Sequence, residues 1–276
     1  MEAQINKAMQ FRQLHRGPGV LILPNVWDVV SARIFEDAGF PAIATTSAGI
    51  AFSLGYPDGQ KIQREEMMAR IGRIARAVQV PLTADVEWGY GPTPEDAART
   101  ARELMEMGVA GLNLEDASGR SDQPLADLQL ALEKIKAVRE AAMKMQGQMV
   151  VNARTDVYLL AGGNPEADYE ETVRRLVAFR DAGADCVFAP GLKDAVKIGR
   201  LAKAVACPLN ILAGPGTPSI LELEKLGVAR VSVGSGAMRA TLGTLRQMAE
   251  ELKTSGTYGA MEAAVPYAEV NKLLGG

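Results

Sequence analysis

The sequence predicts a (β/α)8 barrel, and three observations carry that prediction. Short apolar runs, eight in all, alternate with longer segments of helical periodicity, the pattern of repeated strand–helix units around a parallel sheet. A helix end, a glycine and then a strand recur at Asp37-Ala38-Gly39, Glu106-Met107-Gly108, Asp181-Ala182-Gly183 and Lys225-Leu226-Gly227. Glycine there suits the left-handed cap that ends a helix. No G-x-G-x-x-G opens the first unit, which disfavours a doubly wound dinucleotide-binding sheet.

The expected strands, in order, are Val20 to Leu23, Ala42 to Thr45, Leu82 to Asp85, Gly111 to Leu114, Met149 to Asn152, Cys186 to Ala189, Leu209 to Leu212 and Arg230 to Val233. Helices are expected at Pro94 to Met107, Leu125 to Met145, Glu166 to Ala182 and Ser235 to Lys253, where apolar residues recur at three and four. Thr93 before Pro94, with Glu95 and Asp96 following, reads as an N-cap, an N1 proline and an acidic first turn. A charged amphipathic helix precedes the first strand. Residues 256–276 remain beyond the eighth unit, and their apolar stretch Met261 to Leu274 reads as an extra helix that covers the barrel or reaches a neighbouring subunit. The expectation is one barrel domain over residues 1–276, with 256–276 as its helical extension, close to the roughly 250 residues such barrels need.

Composition narrows the function classes. With 47% hydrophobic and 23% charged residues the chain supports a substantial core. Thirty basic against thirty-three acidic residues, without a run of either sign, leave no footprint for nucleic acid. Neither a signal-peptide core nor an apolar stretch of about eighteen residues is present, so no membrane role is expected and the reading is cytoplasmic. Cys186 and Cys207 lie in apolar segments and read as small buried side chains.

Barrel enzymes of this kind build their sites where strands end. Here strand three ends Ala84-Asp85-Val86-Glu87, strand four Leu114-Glu115-Asp116, and strand five Asn152-Ala153-Arg154-Thr155-Asp156. Period-two spacing puts Asp85 and Glu87 on one face if the strand continues that far, and barrel closure would bring them toward Glu115. Such crowded carboxylates repel unless a divalent cation sits among them, and an all-oxygen set favours magnesium, or manganese, over zinc. The one histidine, His15, lies in the N-terminal helix. Asp116 and Asp156 read as helix caps or as partners of Arg154 or Arg120. Arg154 is the candidate for gripping a substrate carboxylate, its alternative being an ion pair with those acids. Thr45-Thr46-Ser47-Ala48-Gly49 offers hydroxyls and amides as an oxyanion cradle. No expected strand contains lysine, which argues against a Schiff-base aldolase.

Leu23-Pro24-Asn25-Val26-Trp27-Asp28, Thr46-Ser47-Ala48-Gly49, Gly55-Tyr56-Pro57-Asp58, Ala84-Asp85-Val86-Glu87-Trp88-Gly89-Tyr90-Gly91, Leu114-Glu115-Asp116 and Asn152-Ala153-Arg154-Thr155-Asp156 together resemble the isocitrate lyase and phosphoenolpyruvate mutase superfamily, in register over about residues 20 to 250. The likeness extends to its carboxyvinyl-carboxyphosphonate phosphorylmutase-like branch, with the subgroup unassigned. The resemblance implies a magnesium site of Asp85, with Asp58, Glu87 and Glu115 acting largely through water. It implies a pocket of Trp27, Thr46, Ser47, Ala48, Gly49, Asp85, Arg154 and Asn210 for a small carboxylic or oxo acid. Asp58, Glu115, Arg154 and Arg120 become the catalytic candidates. It also implies a homo-oligomer, commonly a dimer of dimers, whose final helix swaps between subunits.

The gating loop of the superfamily's lyases carries K-K-C-G-H or K-R-C-G-H, whereas this chain reads Asp116-Ala117-Ser118-Gly119-Arg120-Ser121-Asp122-Gln123-Pro124, without cysteine or histidine. Phe188-Ala189-Pro190-Gly191 likewise lacks the histidine or glutamate of several branches. Residues 117–124 still read as a lid. The expected activity is magnesium-dependent carbon–carbon cleavage, or decarboxylation, of a small 2-oxo or 2-hydroxy acid through a metal-stabilised enolate. The alternatives are carbon–phosphorus chemistry on a phosphonopyruvate-like acid, or a catalytically weak 2-oxo acid binding protein.

Overall fold

The computed structural model describes residues 2–160 and 164–275. Nine parallel strand segments form one sheet: β1 (Leu21–Leu23), β2 (Asn25–Val26), β3 (Ile43–Thr45), β4 (Leu82–Asp85), β5 (Gly111–Glu115), β6 (Val150–Arg154), β7 (Cys186–Phe188), β8 (Leu209–Leu212) and β9 (Arg230–Ser232). Their order, β1-β9-β8-β7-β6-β5-β4-β3-β2, starts and finishes on two segments separated only by Pro24. β1 and β2 are therefore halves of one stave, and the ring closes through the chain itself into eight staves. Proline has no N–H to donate to the ladder, hence the break, although its carbonyl still accepts from the Ala44 amide at 2.9 Å.

Around the sheet run α1 (Glu2–Leu14), α2 (Val29–Asp37), α3 (Ser47–Ser53), α4 (Arg64–Ala77), α5 (Pro94–Glu106), α6 (Leu128–Lys144), α7 (Val157–Leu160), α8 (Pro165–Asp181), α9 (Ala195–Val205), α10 (Ile220–Lys225), α11 (Gly236–Thr254) and α12 (Tyr267–Gly275). The four glycines of the repeat sit at φ of 84° (Gly39), 83° (Gly108), 108° (Gly183) and 88° (Gly227), as the capping argument requires. Two helix boundaries differ from expectation by more than one residue, and the strand expected to end at Asn152 runs on to Arg154. The helix placed from Leu125 begins at Leu128, because the Asp127 carboxylate accepts the Gln129 amide at 2.8 Å and caps it there. The helix expected from Met261 to Leu274 is interrupted by Pro266: a short 3-10 turn covers Gly259–Met261, and α12 begins after the proline.

The staves divide their side chains between two regions. Ile43, Leu82, Ala84, Leu112, Val151, Val187, Ile211 and Val231 join the large apolar core shared with the outer helices. A smaller core gathers Leu21, Ala42, Ala110 and Val150, all at or just before strand starts, against Ala8 and Phe11 of α1. The N-terminal helix thus seals the bottom of the barrel, tied there by Gln4, whose Nε2 donates to the Val109 carbonyl at 2.9 Å. Above this floor, alternate stave positions are polar: Thr83 and Asp85, Asn113 and Glu115, Asn152 and Arg154, Arg230 and Ser232.

α11, which follows the last strand, is largely uncovered. Of its nineteen residues only Met238 is buried, while Leu242, Leu245 and Leu252 stand 42%, 58% and 45% exposed. α12 returns to α2, where the Arg33 guanidinium donates to the Leu273 carbonyl at 3.2 Å. None of the described helices is long and apolar enough to cross a membrane.

Candidate active site

The C-terminal mouth of the barrel holds a cavity of about 190 Å³ lined by Asn25, Thr46, Ser47, Ala48, Asp58, Asp85, Asn113, Arg154 and Phe188 among others. A second hollow of about 510 Å³ shares Ser47, Asp58, Arg154 and Leu159 with it and adds Glu87, Trp88, Glu115, Gly119 and Arg120. Inner and outer lobes thus meet at those four residues.

Asp85, the last residue of β4, is 8% exposed and held from two sides. Its Oδ2 accepts the Ser47 amide at 3.0 Å and the Ser47 hydroxyl at 2.7 Å, and Asn113 Nδ2 approaches Oδ1 at 3.5 Å. The strand does not continue to Glu87, contrary to the period-two expectation. Glu87 turns back at φ 51° and reaches the outer lobe from a left-handed bend. It is 4% exposed, and burial, followed by the charges of Asp85 and Asp58, pushes its carboxyl up to about 8. The Tyr90 hydroxyl donates to it at 3.4 Å. Asp58 lies on an exposed loop but lines both lobes; desolvation of its carboxyl, then the charge of Asp85, raises it above the usual carboxylate range.

Arg154 is tied to two acids of the mouth. Its Nη1 lies 2.9 Å from Glu115 Oε2 and its Nη2 donates to Asp156 Oδ2 at 2.9 Å, so the ion-pair alternative is the one realised. Burial raises the Glu115 carboxyl, opposed by Arg154. Asp116 pairs with neither Arg154 nor Arg120: its carboxylate accepts the Arg175 guanidinium at 3.0 Å, the Thr155 hydroxyl at 2.7 Å and the Asp156 amide at 2.9 Å. It locks the turn after β6. Arg120 reaches the outer lobe yet is 62% exposed and forked onto Asp122 at 2.6 Å.

The expected cradle is half used internally. The Ser47 amide serves Asp85, and the Gly49 amide donates to the Thr46 hydroxyl that caps α3, at 3.2 Å. Ala48 keeps an amide that, by its place in the first turn, has no intrahelical acceptor. Trp27 lines a separate crevice with Arg70 and Arg73, not either lobe, because β2 ends at Val26 and α2 carries the chain outward. Asn210 is fully buried one layer below the mouth, bonded to the Ser232 hydroxyl at 3.2 Å.

Sequence reasoning passed over three contributors. Asn113 stands beside Asp85. Lys134, on α6, donates to the carbonyls of Trp88 at 2.9 Å and Gly91 at 2.7 Å and so pins the loop carrying Glu87 and Tyr90; burial lowers its amine to about 8. Trp88 underlies the loop expected to serve as a lid: Gly119, at φ 70°, lies so close that any side chain there would enter the indole ring. That loop is folded back on itself, with Ser118 donating its amide to the Pro124 carbonyl at 2.9 Å and Ala117 bridging Leu125.

Among the described residues no three acidic, histidine or cysteine side chains converge at direct-ligand distance. Asp85 is the carboxylate that neighbouring donors hold at the inner lobe, a donor set that an oxygen-seeking divalent cation with few direct protein ligands would accept. The mutual opposition of Asp58, Asp85 and Glu87 is the charge imbalance a cation would relieve.

Comparison with known proteins extends the picture. The family model described as phosphoenolpyruvate phosphomutase matches residues 11–253. A solved structure from Burkholderia cenocepacia J2315 superposes with a TM-score of 0.92 at 41% identity, covering 99% of this chain and 96% of its own. The oxaloacetate decarboxylase of Pseudomonas fluorescens (strain SBW25) is 31% identical over 270 residues, 93% of this chain and 90% of the relative. The 2-methylisocitrate lyase of Bacillus subtilis (strain 168) is 30% identical over 268 residues, 92% of this chain and 84% of the relative.

Proposed function

Because the chain belongs to the phosphoenolpyruvate phosphomutase family, we propose that it is a magnesium-dependent, lyase-type enzyme that cleaves a carbon–carbon bond of, or decarboxylates, a small 2-oxo or 2-hydroxy carboxylic acid. The observation that carries this reading is the carboxylate of Asp85, aimed at the mouth cavity by Ser47 and Asn113 and crowded by Asp58 and Glu87. The carbon–carbon lyase activity of the oxaloacetate decarboxylase and 2-methylisocitrate lyase relatives supports the choice of reaction.

When bound, magnesium or manganese supplies a Lewis acid that stabilises negative charge on an oxo group beside the breaking bond. The protein's own part is positional. Ser47 holds Oδ2 of Asp85 and Asn113 Nδ2 stands 3.5 Å from Oδ1, which fixes the carboxylate on the wall of the inner lobe. Glu115 and Asp156 hold Arg154 rigidly, so its guanidinium offers a fixed positive charge at the junction of the two lobes. Gly119 lets the lid lie flat on Trp88 and shield the outer lobe from water. An inner lobe of about 190 Å³ suits an acid of a few carbons.

The exposed leucines of α11 support a second element of the proposal: a homo-oligomer, with the C-terminal helices exchanged between subunits in a dimer of dimers. Light scattering that returned the mass of a single chain would remove it. For the chemistry, the purified protein is offered Mg²⁺ with a panel of oxo, hydroxy and phosphono acids. Turnover of a carbon–carbon substrate, abolished by Asp85→Ala, is expected. Full activity in that variant, or turnover of phosphono acids alone, would refute the reading.

A further inference from the structure

We infer that Arg230, in the floor of the barrel, is a positioning residue for the metal-binding carboxylate of Asp85, acting through Asn113. The inference rests on the metal reading above and deepens it.

Arg230 is fully buried in β9, well below the mouth. Its Nη2 donates to Asn113 Oδ1 at 3.2 Å, and Asn152 Nδ2 donates to the same oxygen at 2.8 Å. A guanidinium has donors only, so it dictates which end of the Asn113 amide it meets. With the oxygen held by two donors, the Asn113 nitrogen is turned to Asp85 Oδ1, 3.5 Å away. Flipped, the amide would set its carbonyl oxygen against a carboxylate. The Asn113 donor and the two Ser47 donors together define which lone pairs of Asp85 remain for the mouth.

Hydrogen bonding and ion pairing do not explain an arginine here. Among the described residues its Nε and Nη1 make no hydrogen bond, nor does Asn152 Oδ1, no carboxylate forms an ion pair with it, and its guanidinium carbon stands 5.8 Å from the centre of the Phe11 ring. A buried cation so poorly satisfied is costly, and an apolar side chain of similar volume usually serves a core as well or better. The arginine makes physical sense as the group that orients Asn113 and sets a positive charge beneath the acidic cluster.

The test compares wild type, Arg230→Met, Arg230→Lys and Asp85→Asn by Mn²⁺ titration, followed by electron paramagnetic resonance of the free ion, alongside thermal unfolding. Arg230→Met should bind Mn²⁺ at least tenfold more weakly, within the range seen when groups supporting a metal ligand are lost, with a Tm equal to or above wild type. Arg230→Lys, which keeps a charge and a donor group without the planar fork, should recover part of the affinity. Affinity of Arg230→Met within twofold of wild type, with Asp85→Asn abolishing binding, overturns this inference and leaves the metal reading standing. Wild type that binds no Mn²⁺ overturns both. If Arg230→Met does not fold, Asn113→Leu, which removes the amide above it, must show the same tenfold loss, and wild-type affinity there overturns the inference equally.

Discussion

Acidification should loosen the barrel floor through a single residue. His15 is 7% exposed, packed edge-on against Phe11 with ring centres 4.7 Å apart. Its Nδ1 lies 2.7 Å from the Phe11 carbonyl, so it carries the proton and donates, leaving Nε2 unprotonated and without a partner. Burial first, and the nearby Arg230 guanidinium second, lower the imidazole from 6.5 to about 4. The unfolded chain therefore binds a proton below pH 6.5 that the folded chain refuses until about pH 4. Stability must fall as the pH drops through that window and level off beneath it. At about 1.4 kcal/mol per pH unit the loss comes to about 3 kcal/mol, a large share of an ordinary folding free energy. Urea unfolding at pH 7.5, 6, 5 and 4 measures it against His15→Asn, whose amide can still donate to the Phe11 carbonyl. Carboxylates contribute to both proteins alike, so wild type should lose about 3 kcal/mol more than the variant between pH 7.5 and pH 4. Equal slopes would refute the reasoning. So would a proton NMR titration, unambiguous because the chain has one histidine, that placed the ring near 6.5.

Two further outcomes follow from the mouth. Arg154→Ala strands Glu115 and Asp156 together in a buried site and should cost about 3–5 kcal/mol in urea unfolding, beyond any effect on acid binding. A variant within about 1 kcal/mol of wild type would mean that the guanidinium is free for a ligand. Gly119→Leu drives a side chain into the Trp88 ring at a backbone angle leucine resists. It should lift the lid, lower kcat/KM by roughly tenfold or more through lost closure, redden the Trp88 emission and leave Tm nearly unchanged.

The barrel could be read from the alternation of elements and from glycines that the four repeat positions place at positive φ. The acids at the strand ends were equally visible, and Asp58, Asp85, Glu87 and Glu115 do line the two lobes at the mouth. What escaped was decided by contacts between distant segments. Nothing local says that Phe11 and His15 would be buried beneath the barrel, or that Arg154 would be occupied by Glu115 from the neighbouring stave. Glu87 does line the outer lobe, but from a left-handed bend two residues beyond the end of β4 and not as a continuation of that strand. The interior ladder of Asn113, Asn152 and Arg230 did leave a trace. In staves buried on both faces, a polar residue at every second position marks the inward side, as Thr83–Asp85 and Asn113–Glu115 do.

The helix wedged across the strand starts turns the barrel into a well with one opening. On the proposed reading, whatever enters at the mouth must leave by the same doorway, and a cleavage would deliver two fragments into a space that held one molecule. The piece seated deeper has to wait for the outer one to depart, and until it goes it blocks the next arrival. Departure in a set order, with the later fragment competing against fresh substrate, would then follow from a floor closed by Phe11 and its neighbours on α1, at the opposite end of the barrel from Asp85.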